Sequence, residues 1–258
     1  MRLMKRILSA AAVLALSASL LVGCSSGTAS SVPVSASSAA ESTVSSVEET
    51  ASSAVDENEA AAAQLLNDLT GSYQELWPVI LADEYKQTWL DDCTALVGED
   101  NAEAAFEKLS SMVTGDVYGE DAVKAYANGG GAYFCGFTNS LAILTFDGET
   151  STISGTDKDG NVLFSHIYHY IGMEPVHGLY EFESDDADSG EFTYFFLAPD
   201  TSAETYHIEF RYGSDAEALS QYDADEYAYW VASGISTDCD QTMIDNCIEL
   251  FCTENLAG

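Results

Sequence analysis

Histidine is the scarcest versatile ligand of this 258-residue sequence, and all four copies fall between positions 166 and 207: His166, His169, His177 and His207. Around the last of them, Thr205–Gly213 alternates in character. Tyr206, Ile208, Phe210 and Tyr212 take one face of an extended segment, and His207, Glu209 and Arg211 take the other. On a strand, His207 and Glu209 point the same way, with Cα atoms about 7 Å apart. An imidazole and a carboxylate so placed suit two ligands of one divalent ion, and zinc accepts both. The same spacing also describes a solvent-facing row in which Glu209 pairs with Arg211. His166 and His169 are three apart and face opposite sides of a strand, so at most one joins a shared site, and a packing role serves either.

Other chemistry has little to stand on. The sequence holds no nucleophile elbow, P-loop, dinucleotide fingerprint, HExxH or EF-hand loop. Asp157-Lys158-Asp159-Gly160-Asn161 has the composition of a calcium loop but the wrong spacing, and Asp159-Gly160 reads as a turn. Carboxylates are so abundant that acidic pairs arise by chance, which removes the argument for a two-carboxylate hydrolase. An enzyme is not supported.

The elements that would position these side chains follow from periodicity. Ala60–Val97 reads as helical, with Leu65, Leu66, Leu69, Leu76, Trp77, Ile80 and Leu81 at three-to-four spacing and Pro78 marking a kink or a fresh start. Asn101–Val113 is a second helix, with Ala105, Leu109 and Met112 on one face. After Gly129-Gly130-Gly131 the period changes to two. Seven strands are expected: Ala132–Thr138, Leu141–Phe146, Ser151–Asp157, Val162–Ile171, Gly178–Ser184, Phe192–Ala198 and Thr205–Gly213. Asp147-Gly148, Asp159-Gly160 and Ser189-Gly190 punctuate them as hairpins. Asp240 reads as the N-cap of a last helix that turns Met243, Ile244, Cys247, Ile248 and Phe251 inward. The expected fold is α+β: N-terminal helices, an antiparallel up-and-down barrel and a C-terminal helix.

The first sixty residues place this domain. Arg2, Lys5 and Arg6 precede an apolar run from Ile7 to Leu21, closed by Leu21-Val22-Gly23-Cys24. This pattern is similar to the signal of bacterial lipoproteins, which implies removal of residues 1–23, lipidation of Cys24 and anchoring at the extracytoplasmic face of the cell membrane. Residues 24–58, rich in Ser, Ala and Glu and free of aromatics, read as a disordered tether, which leaves 59–258 as one domain. The chain carries 8 basic and 43 acidic residues. Three of the basic residues belong to the signal, so the mature chain has five against 43, a net charge of −38. That field excludes nucleic acid as a partner and leaves membrane contact to the lipid alone. Beyond Cys24, five cysteines remain, an odd number without CxxC or CxxH spacing. Cys239, Cys247 and Cys252 leave room for one bridge or for buried free thiols.

Gly71-Ser72-Tyr73-Gln74-Glu75-Leu76-Trp77-Pro78, preceded by Leu69, resembles the opening helix of ZinT-type zinc-binding proteins. Gly178–Ser184, Phe192–Ala198 and Tyr206–Asp215 resemble three late strands of that family, the third carrying its H-x-H as His207-Ile208-Glu209. Tyr227-Ala228-Tyr229-Trp230 and the last helix resemble its C-terminal segment, so the likeness runs through most of residues 64–251 in order. The resemblance implies a calycin (lipocalin-like) barrel that captures zinc or another divalent metal and passes it to the binding component of an ABC importer. It also implies a ligand set of His207, Glu209 and His177, completed by water or His169. The family's remaining histidine falls by counting on Ala198, which binds no metal; His177, expected opposite Ala198, or Asp200 would substitute. Ser184 stands near the family's expected cysteine, so its disulfide has no match. Ligation by histidine predicts affinity that falls below about pH 6.5, where imidazole protonates. Two other readings remain: a calycin-like binder of a small apolar or aromatic ligand, and a non-catalytic interaction lipoprotein with Tyr222–Trp230 as an exposed patch.

Overall fold

The computed structural model describes residues 57–198 and 207–257; the signal segment, Cys24, the tether up to residue 56 and Asp200 lie outside the described residues. The chain enters on α1 (57–68), then runs through β1 (Gly71–Glu75), α2 (Leu76–Ile80), α3 (Lys86–Val97), α4 (Glu99–Val113) and α5 (Glu120–Ala127). Five strands in succession follow: β2 (Ile143–Asp147), β3 (Thr152–Thr156), β4 (Val162–Met173), β5 (Tyr180–Ser184) and β6 (Tyr194–Leu197). The chain finishes with β7 (His207–Gly213), α6 (Ala216–Leu219), β8 (Ala232–Ser236) and α7 (Gln241–Leu256). The strands close into a barrel in sequence order, every pair antiparallel, with Tyr73 of β1 opposite Ser236 of β8. The fold is the α+β arrangement expected from the sequence, with N-terminal helices, an antiparallel barrel and a closing helix.

Both strands that seal the barrel depart from expectation. Gly71–Glu75 falls inside the apolar spacing that predicts a helix, yet it pairs with β2 and β8. Only Tyr73 of its five side chains is buried, so the alternation that marks a strand has a single apolar residue to show. The helical spacing resumes at Leu76, with Pro78 in the first turn of a fresh helix, where backbone N–H groups lack intrahelical partners anyway. β8 was not expected, since Ala-Ser-Gly-Ile-Ser lacks the bulk of a strand. Its residues are small because α2 packs over it while Ile208 and Phe137 crowd Gly234. Ala132–Thr138, expected as a strand, forms only isolated bridges from Phe134 to Thr114 and Trp230. α5 was not expected either.

Local signals hold elsewhere. Asp240 caps α7, its carboxylate accepting the Met243 N–H at 3.0 Å. The Asp157 carboxylate accepts the N–H groups of Asp159 and Asn161 at 2.9 and 2.8 Å, which makes this segment the β3–β4 turn.

Two apolar clusters organise the interior. One fills the barrel with Phe146, Phe164, Tyr168, Phe195, Phe210 and Tyr212, and α1 adds Leu65 and Leu66, with Leu69 just past its end. These rings touch: Phe195 and Tyr212 stand 5.4 Å apart, as do Phe195 and Tyr168. The β2–β3 turn seats directly on α1, where a Cβ on Gly148 would lie 2.4 Å from the Asn67 Cα. The second cluster lies outside the barrel wall and joins α2, α3, α4 and α7 through Trp77, Trp89, Leu109, Ile248 and Phe251. At its centre Trp89 is fully buried and its indole N–H donates to the Ile80 carbonyl at 2.7 Å.

Candidate functional site

β7 divides its side chains as the alternation demands. Ile208, Phe210 and Tyr212 join the barrel core. The opposite face is not a solvent-facing row: Glu209 is 8 % exposed and Arg211 0 %. The helices and the chain after β7 cover it. Arg211 donates to the carbonyls of Leu219, Gln221 and Tyr227, and its guanidinium carbon stands 4.2 Å from the centre of the Tyr222 ring. The basic residue beside Glu209 is therefore engaged in holding the connection between β7 and β8.

His207 and Glu209 sit opposite Ile235 and Ser233 of β8. They line one cavity together with Leu76, Trp77 and Ile80 of α2 and with Cys247, Leu250, Phe251 and Glu254 of α7. Its volume is about 20 Å³, enough for one water-sized occupant. The donors on its walls are an imidazole, two carboxylates and a thiol, and no lysine or arginine is among them. The Cys247 thiol is pushed up to about 12, first by burial and then by the negative charge of Glu209, so it remains protonated at neutral pH. Among the described residues, no group of three or more His, Cys, Asp or Glu side chains is arranged to hold a metal ion.

The other histidines lie elsewhere. The β5–β6 register pairs Tyr180 with Leu197 and, carried one residue further, sets Ala198 opposite Leu179. The expected facing of His177 and Ala198 is thus displaced by two residues. His177 is buried, with its ring centre 3.7 Å from that of Tyr222 and its Nδ1 3.2 Å from Oε2 of the fully buried Glu174. Burial raises the pKa of that carboxyl, but hydrogen bonds from the His177 ring and from the N–H groups of His177 and Val176 outweigh it and hold the pKa below the usual carboxylate range. His177 is not among the residues lining the cavity. His169 is half exposed, its Nδ1 2.7 Å from Asp185. His166 shares the barrel-side face with Phe164 and Tyr168 and meets Asp186 at 2.6 Å. The two histidines do face opposite sides of β4, as their spacing requires.

Sequence spacing missed the far wall of the cavity. Cys247 and Glu254 are seven residues apart on α7, two turns, which places them on one helix face. That period was the available signal, but nothing local to α7 points to β7. The cysteines left open in sequence, Cys93, Cys135, Cys239, Cys247 and Cys252, are all free thiols.

No family model and no curated protein matches the chain. Among solved structures, the chain is similar to the Zn(II)-bound ZinT-like domain of Streptococcus pneumoniae AdcA, with a TM-score of 0.45 and 15% identity over 71% of this chain and 89% of that one. It is also similar to Zn(II)-bound AdcA from Streptococcus pneumoniae, with a TM-score of 0.43 and 14% identity over 72% of this chain. There it spans 35% of the length of the longer protein.

Proposed function

We propose that this domain binds a divalent metal ion, zinc first, with His207 and Glu209 as its protein ligands, and carries the ion as cargo at the extracytoplasmic face of a membrane to which Cys24 anchors it. One observation carries the reading. The imidazole and the carboxylate that share a face of β7 also share a small cavity walled by Cys247 and Glu254, whose lining residues include no lysine or arginine. Nitrogen and oxygen donors of this kind suit zinc. The described side chains do not assemble a third ligand around the pair, so solvent at the open side of the cavity supplies the rest of the shell. Such an open shell favours release, which suits a carrier that hands its ion to the binding component of an ABC importer. The role is coordination without catalysis.

The two other readings have less support. The barrel is filled by aromatic rings in mutual contact, which leaves a small apolar ligand to compete with packed side chains. Tyr222, Tyr227 and Trp230 are buried, so these aromatic side chains do not form an exposed patch.

Calorimetric titration of zinc into the metal-stripped chain beginning at Ser25 tests the proposal. About one equivalent should bind at neutral pH. His207→Ala should abolish binding, and Glu209→Gln should weaken it at least about tenfold, the loss of one charged ligand being worth more than about 1.4 kcal/mol. Absence of zinc binding, or binding unchanged in His207→Ala, refutes the assignment.

A further inference from the structure

We propose that Cys93 and Cys252 form a redox pair that closes to a disulfide and staples the last helix to the first half of the domain. Cys93 lies on α3 and Cys252 on α7, and their Sγ atoms are 3.9 Å apart, in contact. Both residues are 0 % exposed. Among the described residues no other pair of thiols is in such contact. The helices are registered on either side of the pair: Thr88 donates to Asp245 at 3.4 Å, and the Trp89 and Phe251 rings meet edge to face at 6.0 Å. Closure needs the sulfurs to approach from 3.9 Å to about 2.05 Å, a displacement of roughly 2 Å. This inference rests on the exported location proposed above and not on the metal ligands.

Export, as proposed above, would bring the chain into contact with disulfide donors before α7 has docked. In the docked state burial pushes both thiols up and keeps them protonated, so exchange belongs to the undocked helix. The thiolate of one cysteine attacks a sulfur of the donor, either a thiol oxidoreductase disulfide or a low-molecular-weight disulfide, and expels one donor thiolate. The thiolate of the second cysteine then attacks the mixed disulfide and expels the other. The pair loses two electrons and two protons, and the donor is left as two thiols. The link joins residues 159 positions apart and encloses every strand from β2 to β8, so it restricts the unfolded chain strongly. It also fixes the wall of α7 that carries Leu250, Phe251 and Glu254.

The test is peptide mapping of the chain beginning at Ser25, folded in a mixture of oxidised and reduced glutathione, then denatured and alkylated without reduction. The expected result is a Cys93–Cys252 linked peptide with Cys135, Cys239 and Cys247 alkylated. A second readout is the thermal midpoint, which should fall by roughly 5–10 °C on reduction. The double variant Cys93→Ala/Cys252→Ala, where it folds, should show no response to reductant. Alkylation of all five cysteines, a link between other cysteines, or a linked protein whose midpoint ignores reductant overturns the proposal, and the first two are read on the unsubstituted protein.

Discussion

Replacing Arg211 with methionine keeps the length and most of the packing of a fully buried side chain and removes every donor it carries. Three carbonyls, those of Leu219, Gln221 and Tyr227, lose their hydrogen bonds to a cation, and the Tyr222 ring loses the charge on its face. An unsatisfied buried carbonyl costs about 1–3 kcal/mol. Relief from burying a guanidinium offsets part of that sum, as buried-charge replacements elsewhere establish. A net loss of about 3 kcal/mol follows from the two effects together. With a urea slope of about 2 kcal/mol/M for a domain of this size, the midpoint should fall by roughly 1.5 M. Arg211→Lys should fall between the two proteins, because one ammonium cannot reach all the carbonyls that two separate guanidinium nitrogens bond. Urea unfolding followed by tryptophan fluorescence measures all three. A midpoint for Arg211→Met within about 0.25 M of the parent would refute the reasoning, since it would mean that water satisfies the carbonyls or that burial of the charge cancels their loss.

Two further outcomes follow from local geometry. Gly148→Ala should destabilise the domain by about 1–3 kcal/mol, the usual cost of overpacking, because the added carbon would meet backbone atoms of Asn67 and Leu66 at 2.4–2.6 Å. A urea midpoint equal to the parent would show that the β2–β3 turn lifts off α1 freely. Glu174 has a pKa held below its unfolded value, so its ionised form contributes stability that is complete above the usual carboxylate range and is lost as pH falls through the lowered value. Thermal midpoints measured from pH 7 down to pH 3 should therefore drop less steeply in Glu174→Gln than in the parent, and parallel slopes would contradict this assignment.

The barrel and its near wall were legible where a period could be read. Ile208, Phe210 and Tyr212 alternate with Glu209 and Arg211, and the structure keeps that division. What spacing could not supply was the cover. A row of polar side chains on a strand reads as solvent-facing until α2, α7 and the 214–231 connection are placed over it. The sealing strands were illegible for opposite reasons: Gly71–Glu75 has too few apolar residues to alternate, and Ala232–Ser236 has residues too small to register as a strand. Register failed at His177 because the Asp185–Thr193 connection holds a short 3₁₀ turn at Gly190–Phe192, so β5 and β6 pair two residues away from a symmetrical hairpin. The cavity draws its walls from positions 76–80, 207–209 and 247–254, separations that no local pattern spans.

The pairing of β1 with β8 sets a timetable for the molecule. The chain's earliest strand waits, edge bare, until the latest has been delivered, and no subset of the intervening hairpins can take its place. A polypeptide halted between β7 and β8 presents two raw edges and an uncovered aromatic lumen to its neighbours. Such fragments should be clumping and protease-prone, and closure of the barrel is all-or-nothing at β8.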